Sequence, residues 1–275
     1  MLTVLLHNLL KLLHYRTALI YLLLVEGGSL LALLTVKYLW SQAILTSQLS
    51  SNFIIFFLQL CFFWLLGLPW LLFIFVQGCG LISRERKEGT LLLLVSKPIA
   101  RYKIIVGKWL ALVLAAFILG LCSLIITLGL IAFFVLPDYT IIYQLLRFVP
   151  FWGLYILYLT FCLAAVAISL SVFTCSSRMI NLLFLGLGLF FYVLIPIGKA
   201  YAQLQVKMEY LNWLDLAAYV QNFYYFLISI PQVIYGPNFS GYCNAVFPLG
   251  LLLPGVISII FMVAAIRRFE SLDIC

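Results

Sequence analysis

Long apolar runs separated by short polar segments dominate the chain. The runs cover residues 17–39, 53–77, 106–136, 148–173, 181–198 and 247–266. A helix needs roughly 20 mostly apolar residues to cross a hydrocarbon core of about 30 Å. The pattern therefore predicts an all-α integral membrane protein with six transmembrane helices, in a single domain covering residues 1–275.

A shorter leucine-rich segment, residues 1–15, precedes the first run and carries one polar stripe. His7, Lys11 and His14 recur at helical spacing and would share one face of a helix. Such a helix is predicted to lie in the membrane interface, with its polar stripe toward water. Because two histidines on one face lack a third ligand, we predict no metal site there.

The longest connection, residues 199–246, contains an aromatic stretch, "YLNWLDLAAYVQNFYYFLISI". This stretch is apolar enough to suggest a seventh span at 211–230. However, Asp215, Gln221 and Asn222 interrupt it, and its tyrosines and tryptophan suit the headgroup layer. We interpret the segment as an extracytoplasmic interfacial or re-entrant helix before the sixth span.

Composition and charge support this class and orient the chain. The protein is 66% hydrophobic and 9% charged, whereas a soluble domain carries about a quarter charged residues. Twelve of the 16 Lys and Arg residues fall in the predicted inner segments, which places both termini in the cytoplasm. The net charge of +8 lies at the membrane borders, so topology explains it and we predict no nucleic-acid partner.

Seven of the 16 basic residues lie in one stretch, residues 79–108, between the second and third spans. Ser83 suits an N-cap, and Lys97-Pro98 suits a helix end, which together predict a short helix over 84–95. Further on, Lys108 is expected to snorkel toward water as the chain enters the third span. The stretch is thus predicted to be a short cytoplasmic helix joined to two spans.

The segment "SRERKEGTLLLLVSKPIARYKIIVGKWL" resembles the signature of ABC-2 type transporter permeases, which are the membrane-spanning subunits of ABC transporters. The matching residues are Arg84, Glu85, Glu88, Gly89, Thr90, Leu91, Leu94, Ser96, Pro98, Arg101, Ile104, Gly107 and Lys108. The predicted architecture is also similar to that family. Within it, the chain looks most like the small bacterial permeases of the nitrous-oxide-reductase-maturation and gliding-motility type.

The resemblance implies a function and a set of partners. In the family, the segment corresponding to 84–95 is a coupling helix that docks on a separate ATPase subunit. The residues that would make this contact are Arg84, Glu85, Arg86, Glu88, Gly89 and Thr90. A complete assembly would contain two ATPase copies and a second permease, identical or related, in a bacterial inner membrane.

ATP chemistry is expected to come from the partner. The sequence has no G-x-x-x-x-G-K-[ST] loop, since Gly107-Lys108 is followed by Trp109 and lacks the upstream glycine. We therefore predict that the chain itself is not an enzyme, has no catalytic residues and holds no cofactor. ATP and magnesium would be bound by the ATPase subunit.

Glu26 is the acidic residue that lies inside a predicted span. Acids at that depth are costly and often face a bundle interior or a wet cavity, so Glu26 is a candidate contact to substrate or to a paired permease. Alternatively, the carboxyl is bonded to a neighbouring helix, with Gly27, Gly28 and Ser29 permitting close packing.

Two other function classes were weighed against a permease. An ion-coupled secondary carrier would need several buried ionisable residues and matched broken helices, for which Glu26 is slender support. A polytopic membrane enzyme would need a Ser/His pair at depth or an H-E-x-x-H motif. Both histidines, His7 and His14, lie in the N-terminal segment, and the motif is absent.

Overall fold

A computed structural model describes residues 2–41, 56–57, 60–89, 100–135, 139–173, 182, 185–186 and 237–271, the segment 237–251 by its backbone alone. Its α-helices are α1 (Leu2–Leu12), α2 (Tyr15–Ser41), α3 (Leu68–Lys87), α4 (Arg101–Leu130), α5 (Tyr139–Phe173) and α6 (Pro237–Glu270). Two π-helical turns, Cys61–Leu65 and Ile131–Val135, precede α3 and follow α4. These ranges contain no β-strand, which confirms an all-α fold for the described part of the chain.

Four of the described helices are long and apolar enough to cross a membrane. They are Arg16–Tyr38, Arg101–Phe133, Leu145–Phe173 and Leu252–Glu270. These helices match the first, third, fourth and sixth predicted runs. The fifth run, 181–198, lies outside the described residues except at three positions, and 199–236 lies wholly outside them. The six-span topology therefore stays a prediction.

The second predicted run, 53–77, is divided into two pieces in its described part. The π-helical turn ends at Leu65, the chain turns at Leu66 and Gly67, and α3 then begins at Leu68. Pro69 lies in the first turn of α3. Backbone N–H groups in the first turn have no partner within the helix, so a proline there costs no helical hydrogen bond. Proline therefore begins a helix here and does not kink one.

The expected helix start at Ser83 is wrong. Ser83 is buried inside α3, and its hydroxyl donates to the carbonyl of Cys79 one turn earlier in the same helix. A serine in a helix interior commonly makes this bond, so a local preference for capping does not decide its position. Residues 84–87 are consequently the last turn of α3, and 90–95 of the predicted short helix lie outside the described residues.

Two other helices begin earlier than their apolar runs. Helix α5 starts at Tyr139 and includes Arg147, and α6 starts at Pro237, inside the segment predicted to be separate from the last span. Hydropathy marks the part of a helix that can lie in hydrocarbon, whereas backbone hydrogen bonding can extend the same helix beyond it. Pro237 occupies the first helical position, which proline favours.

Helix α4 lies at the centre of the described bundle and packs against each of the other five α-helices. Helix α5 packs against α3 and α6 as well. Helix α1 buries Val4, Asn8 and Leu12, and it contacts α4. Of the predicted polar stripe, His7 and Lys11 lie on α1 and His14 lies just beyond its end, and all three are exposed. The interfacial position of this helix stays a prediction.

Candidate functional site

The charged end of α3 presents most of the candidate contact residues to the surroundings. Arg84 and Glu88 are exposed, and Arg86 is half-buried. The last candidate, Thr90, lies outside the described residues. This end of the helix is called the charged turn below, and it comprises residues 84–88, the last turn of α3 with its C-cap residue Glu88.

Gly89 ends this helix through its backbone conformation. Its φ is +70°, in the left-handed region where glycine carries no steric penalty. The amide of Glu88 donates to the carbonyl of Arg84 at 2.9 Å, and that of Gly89 donates to Arg86 at 3.4 Å, as at a glycine-terminated helix end. No described atom lies within 4 Å of where a Cβ would stand. Within the described part of the permease, glycine is therefore favoured at position 89 by its left-handed backbone conformation and not by lack of space for a side chain.

Glu85 points into the bundle and forms an ion pair with Lys108 of α4. The Lys108 side chain is 0% exposed and that of Glu85 is 15% exposed. Lys108 Nζ also donates to the carbonyl of Leu81 at 2.7 Å. The expectation that Lys108 snorkels is wrong, because a carboxylate and a carbonyl on the adjacent helix satisfy the ammonium inside the protein.

On its other side, α3 is bonded to α5 through Ser171. The Ser171 hydroxyl donates to the carbonyl of Cys79 at 2.7 Å. It accepts from the amides of Ser83 at 3.2 Å and Ile82 at 3.3 Å. One turn of α3 is thus held by side chains from two different helices. We call this set of contacts, made by Glu85, Lys108 and Ser171 with α3, the polar junction.

Close apolar packing continues directly beside the polar junction. A Cβ on Gly78 would stand 2.7 Å from the Cβ of Ala167 in α5 and 2.8 Å from Cδ2 of Leu112 in α4. Such distances are shorter than van der Waals contact, so only glycine fits between the two helices here. Helices α3, α4 and α5 therefore meet without intervening space at this level.

Glu26 lies in α2, away from the polar junction, and is half-buried. Its Oε2 atom accepts a hydrogen bond from the Thr127 hydroxyl of α4 at 2.9 Å and one from Ser29 at 3.3 Å. Nearby, Trp64 donates to the carbonyl of Val25 at 2.9 Å. The carboxylate therefore joins two membrane helices, although a contact to substrate or to a second permease stays a separate prediction.

The family is decided by comparison of the whole sequence. Residues 10–274 match the profile described as ABC-2 family transporter protein. The chain belongs to this family. A search of the curated proteins finds no match. The resemblance drawn from the signature segment is confirmed, and the chain is a multi-pass ABC transporter permease, a transport component that is not itself catalytic.

Sequence reasoning missed two residues of the permease's polar junction. Lys108 carried a usable signal, because it lies inside the apolar run 106–136, where a lysine needs a partner. Ser171 carried none, since serines are common in membrane helices and most bond their own backbone. Ser169 does so: it donates to the carbonyl of Ala165 at 2.6 Å.

The contact of Glu26 gives a first testable expectation. In Glu26→Gln, the side-chain carbonyl can still accept from Thr127, while any charge is removed from the membrane interior. We expect the permease to be produced in parental amounts and to unfold at the parental temperature or above it, measured by thermal melting in detergent. A melting temperature well below that of the parent would show that the carboxylate itself is needed.

Proposed function

We propose that this permease receives the ATP-driven movement of a separate ATPase subunit and passes it to its membrane helices. The movement would drive export of a substrate, or conformational work, across a bacterial inner membrane. Two ATPase subunits, which bind ATP and magnesium, and a second permease, identical or related, complete the assembly. Both termini would lie in the cytoplasm.

The observation that carries this proposal is the continuity of α3. The helix runs without a break from Leu68 to the charged turn at Lys87, a length of roughly 30 Å. A flexible loop would bend when a soluble subunit moves it. A continuous helix that is hydrogen-bonded to its neighbours just before the charged turn would transmit the movement to the membrane helices. Family membership supports the same partner, because ABC-2 permeases generally work with an ABC ATPase.

The exposed part of the charged turn determines what the ATPase would meet. Arg84, Lys87 and Glu88 are exposed. Glu85 is directed to Lys108, so the two charges offset each other inside the permease. In this proposal Glu85 holds the helix end in place, and Arg84, Arg86, Glu88, Gly89 and Thr90 form the contact.

Purification of the assembled transporter tests the proposal. We expect an ATPase subunit with a G-x-x-x-x-G-K-[ST] loop to co-purify with the tagged permease from membranes of the native host. In Glu88→Lys, an exposed acid of the contact becomes a cation, and we expect at least about a tenfold loss of that ATPase, equal to about 1.4 kcal/mol. The amount of permease in the membrane should not change.

The matched control is Arg147→Glu, a reversal of another exposed charge. Arg147 lies on α5, 24 residues before Ser171, which places it roughly 36 Å along the helix from the polar junction. This variant should retain the ATPase. Equal ATPase recovery with both variants would show that the charged turn is only a topology signal, and a parent that never recovers an ATPase would refute the proposed function.

A further inference from the structure

The hydroxyl of Ser171 makes its three hydrogen bonds to the backbone of α3. In an α-helix, the amide of residue 83 and the carbonyl of residue 79 normally bond to each other. The Ser171 hydroxyl bonds to both of these groups, at 3.2 and 2.7 Å. A side chain bonded in this way attaches one helix directly to the backbone of another.

The position of this contact along α3 gives it mechanical importance. The turn from Cys79 to Ser83 lies directly before the charged turn, so a displacement of the charged turn reaches it first. The fully buried side chain of Lys108 fixes the same part of α3 to α4. Ser171 makes three hydrogen bonds that link this turn to α5, and the Cys79 thiol adds a weaker one to the carbonyl of Ala167 at 3.7 Å. Helix α5 in turn packs against α6.

Ser169 provides an internal comparison in the same helix. Both serines are 0% exposed, and they are two residues apart in α5. The Ser169 hydroxyl donates within its own helix, to Ala165. Loss of the hydroxyl at position 169 therefore removes no hydrogen bond between α5 and α3, whereas loss of the hydroxyl at position 171 removes three.

We infer that Ser171 is a positioning residue that passes movement of the charged turn from α3 to α5. This inference rests on the proposed function, because the movement would originate in the ATPase. Without the hydroxyl, α3 could still move with α4 through Lys108, but α5 would lose three hydrogen bonds to the moving turn and keep the weaker contact of the Cys79 thiol with the carbonyl of Ala167. Apolar contacts near Gly78 would remain, and these permit helices to slide past each other more readily than a three-way hydrogen bond does.

Spin labels at two exposed positions test the inference. One label replaces Lys87, at the end of α3, and the other replaces Phe173, at the end of α5. The permease, with its accessible native cysteines replaced by serine, is reconstituted in lipid nanodiscs with its co-purified ATPase. Spectra are recorded with and without magnesium and a non-hydrolysable ATP analogue, for the parent, Ser171→Ala and Ser169→Ala.

We expect nucleotide to change the spectra at both positions in the parent and in Ser169→Ala. In Ser171→Ala, the change at position 87 should persist and the change at position 173 should be lost. A nucleotide response at position 173 in Ser171→Ala would overturn the inference, and so would loss of both responses, which would assign Ser171 to folding. Absence of any response at position 87 in the parent would refute the proposed function, and the inference with it.

Discussion

Lys108→Met is expected to destabilise the permease by about 3–5 kcal/mol, the usual cost of removing one partner from a buried ion pair. Methionine fills much of the space of the lysine stem but offers no charge. The Glu85 carboxylate, whose side chain is only 15% exposed, would then be left without its cation. The carbonyl of Leu81 would lose its contact with the ammonium as well. Thermal melting of the purified permease in detergent measures the effect.

Two further variants separate the ion pair from general damage at this position. The double variant Glu85→Gln, Lys108→Met removes both charges and should recover most of the loss, because a buried pair replaced by neutral groups is often close to neutral in stability. Lys103→Met is the surface control, since Lys103 is exposed and lies five residues earlier in α4, and it should change stability by no more than about 0.5 kcal/mol. Equal melting temperatures for Lys108→Met and Lys103→Met would contradict the energetic importance of the pair.

The membrane helices were predictable because hydrocarbon imposes one strong requirement on the chain. Every lipid-facing backbone group must bond within its own segment, so a long apolar run has few alternatives to a helix. The helices α2, α4, α5 and α6 accordingly cover the runs 17–39, 106–136, 148–173 and 247–266, apart from the last positions of the run ending at 136. Their ends were less predictable, because a helix can continue beyond its apolar part, as α6 does toward Pro237.

The candidate site was predictable only in part, because the sequence reveals charges but not the direction in which side chains point. Composition identified residues 84–88 as charged, but it predicted a separate short helix there, and it grouped Glu85 with the exposed contact residues. Its pairing with Lys108 depends on how α3 and α4 pack, which local patterns do not encode. The contact of Ser171 with α3 joins residues about ninety positions apart, so it too depends on how the helices pack.

Substitution of Gly89 is expected to have the second large effect, on recovery of the ATPase. Two explanations for a glycine at this position predict different results. In the sequence, a glycine beside the charged turn suggested close approach by the ATPase backbone. The observed φ of +70° gives a reason within the permease itself. A non-glycine residue in this region costs roughly 1–2 kcal/mol, and asparagine is the best tolerated substitute, while a β-branched residue is among the worst.

We therefore expect Gly89→Val to redirect the chain after the charged turn and to lose the co-purifying ATPase by at least about tenfold. Gly89→Asn should retain it within about threefold, because asparagine can keep the left-handed conformation. No described atom lies within 4 Å of the Cβ position, so neither side chain should clash with the described part of the permease. If Gly89→Asn loses the ATPase as fully as Gly89→Val, the bulk of any side chain is the obstacle. The ATPase surface must then approach this residue as closely as the backbone allows.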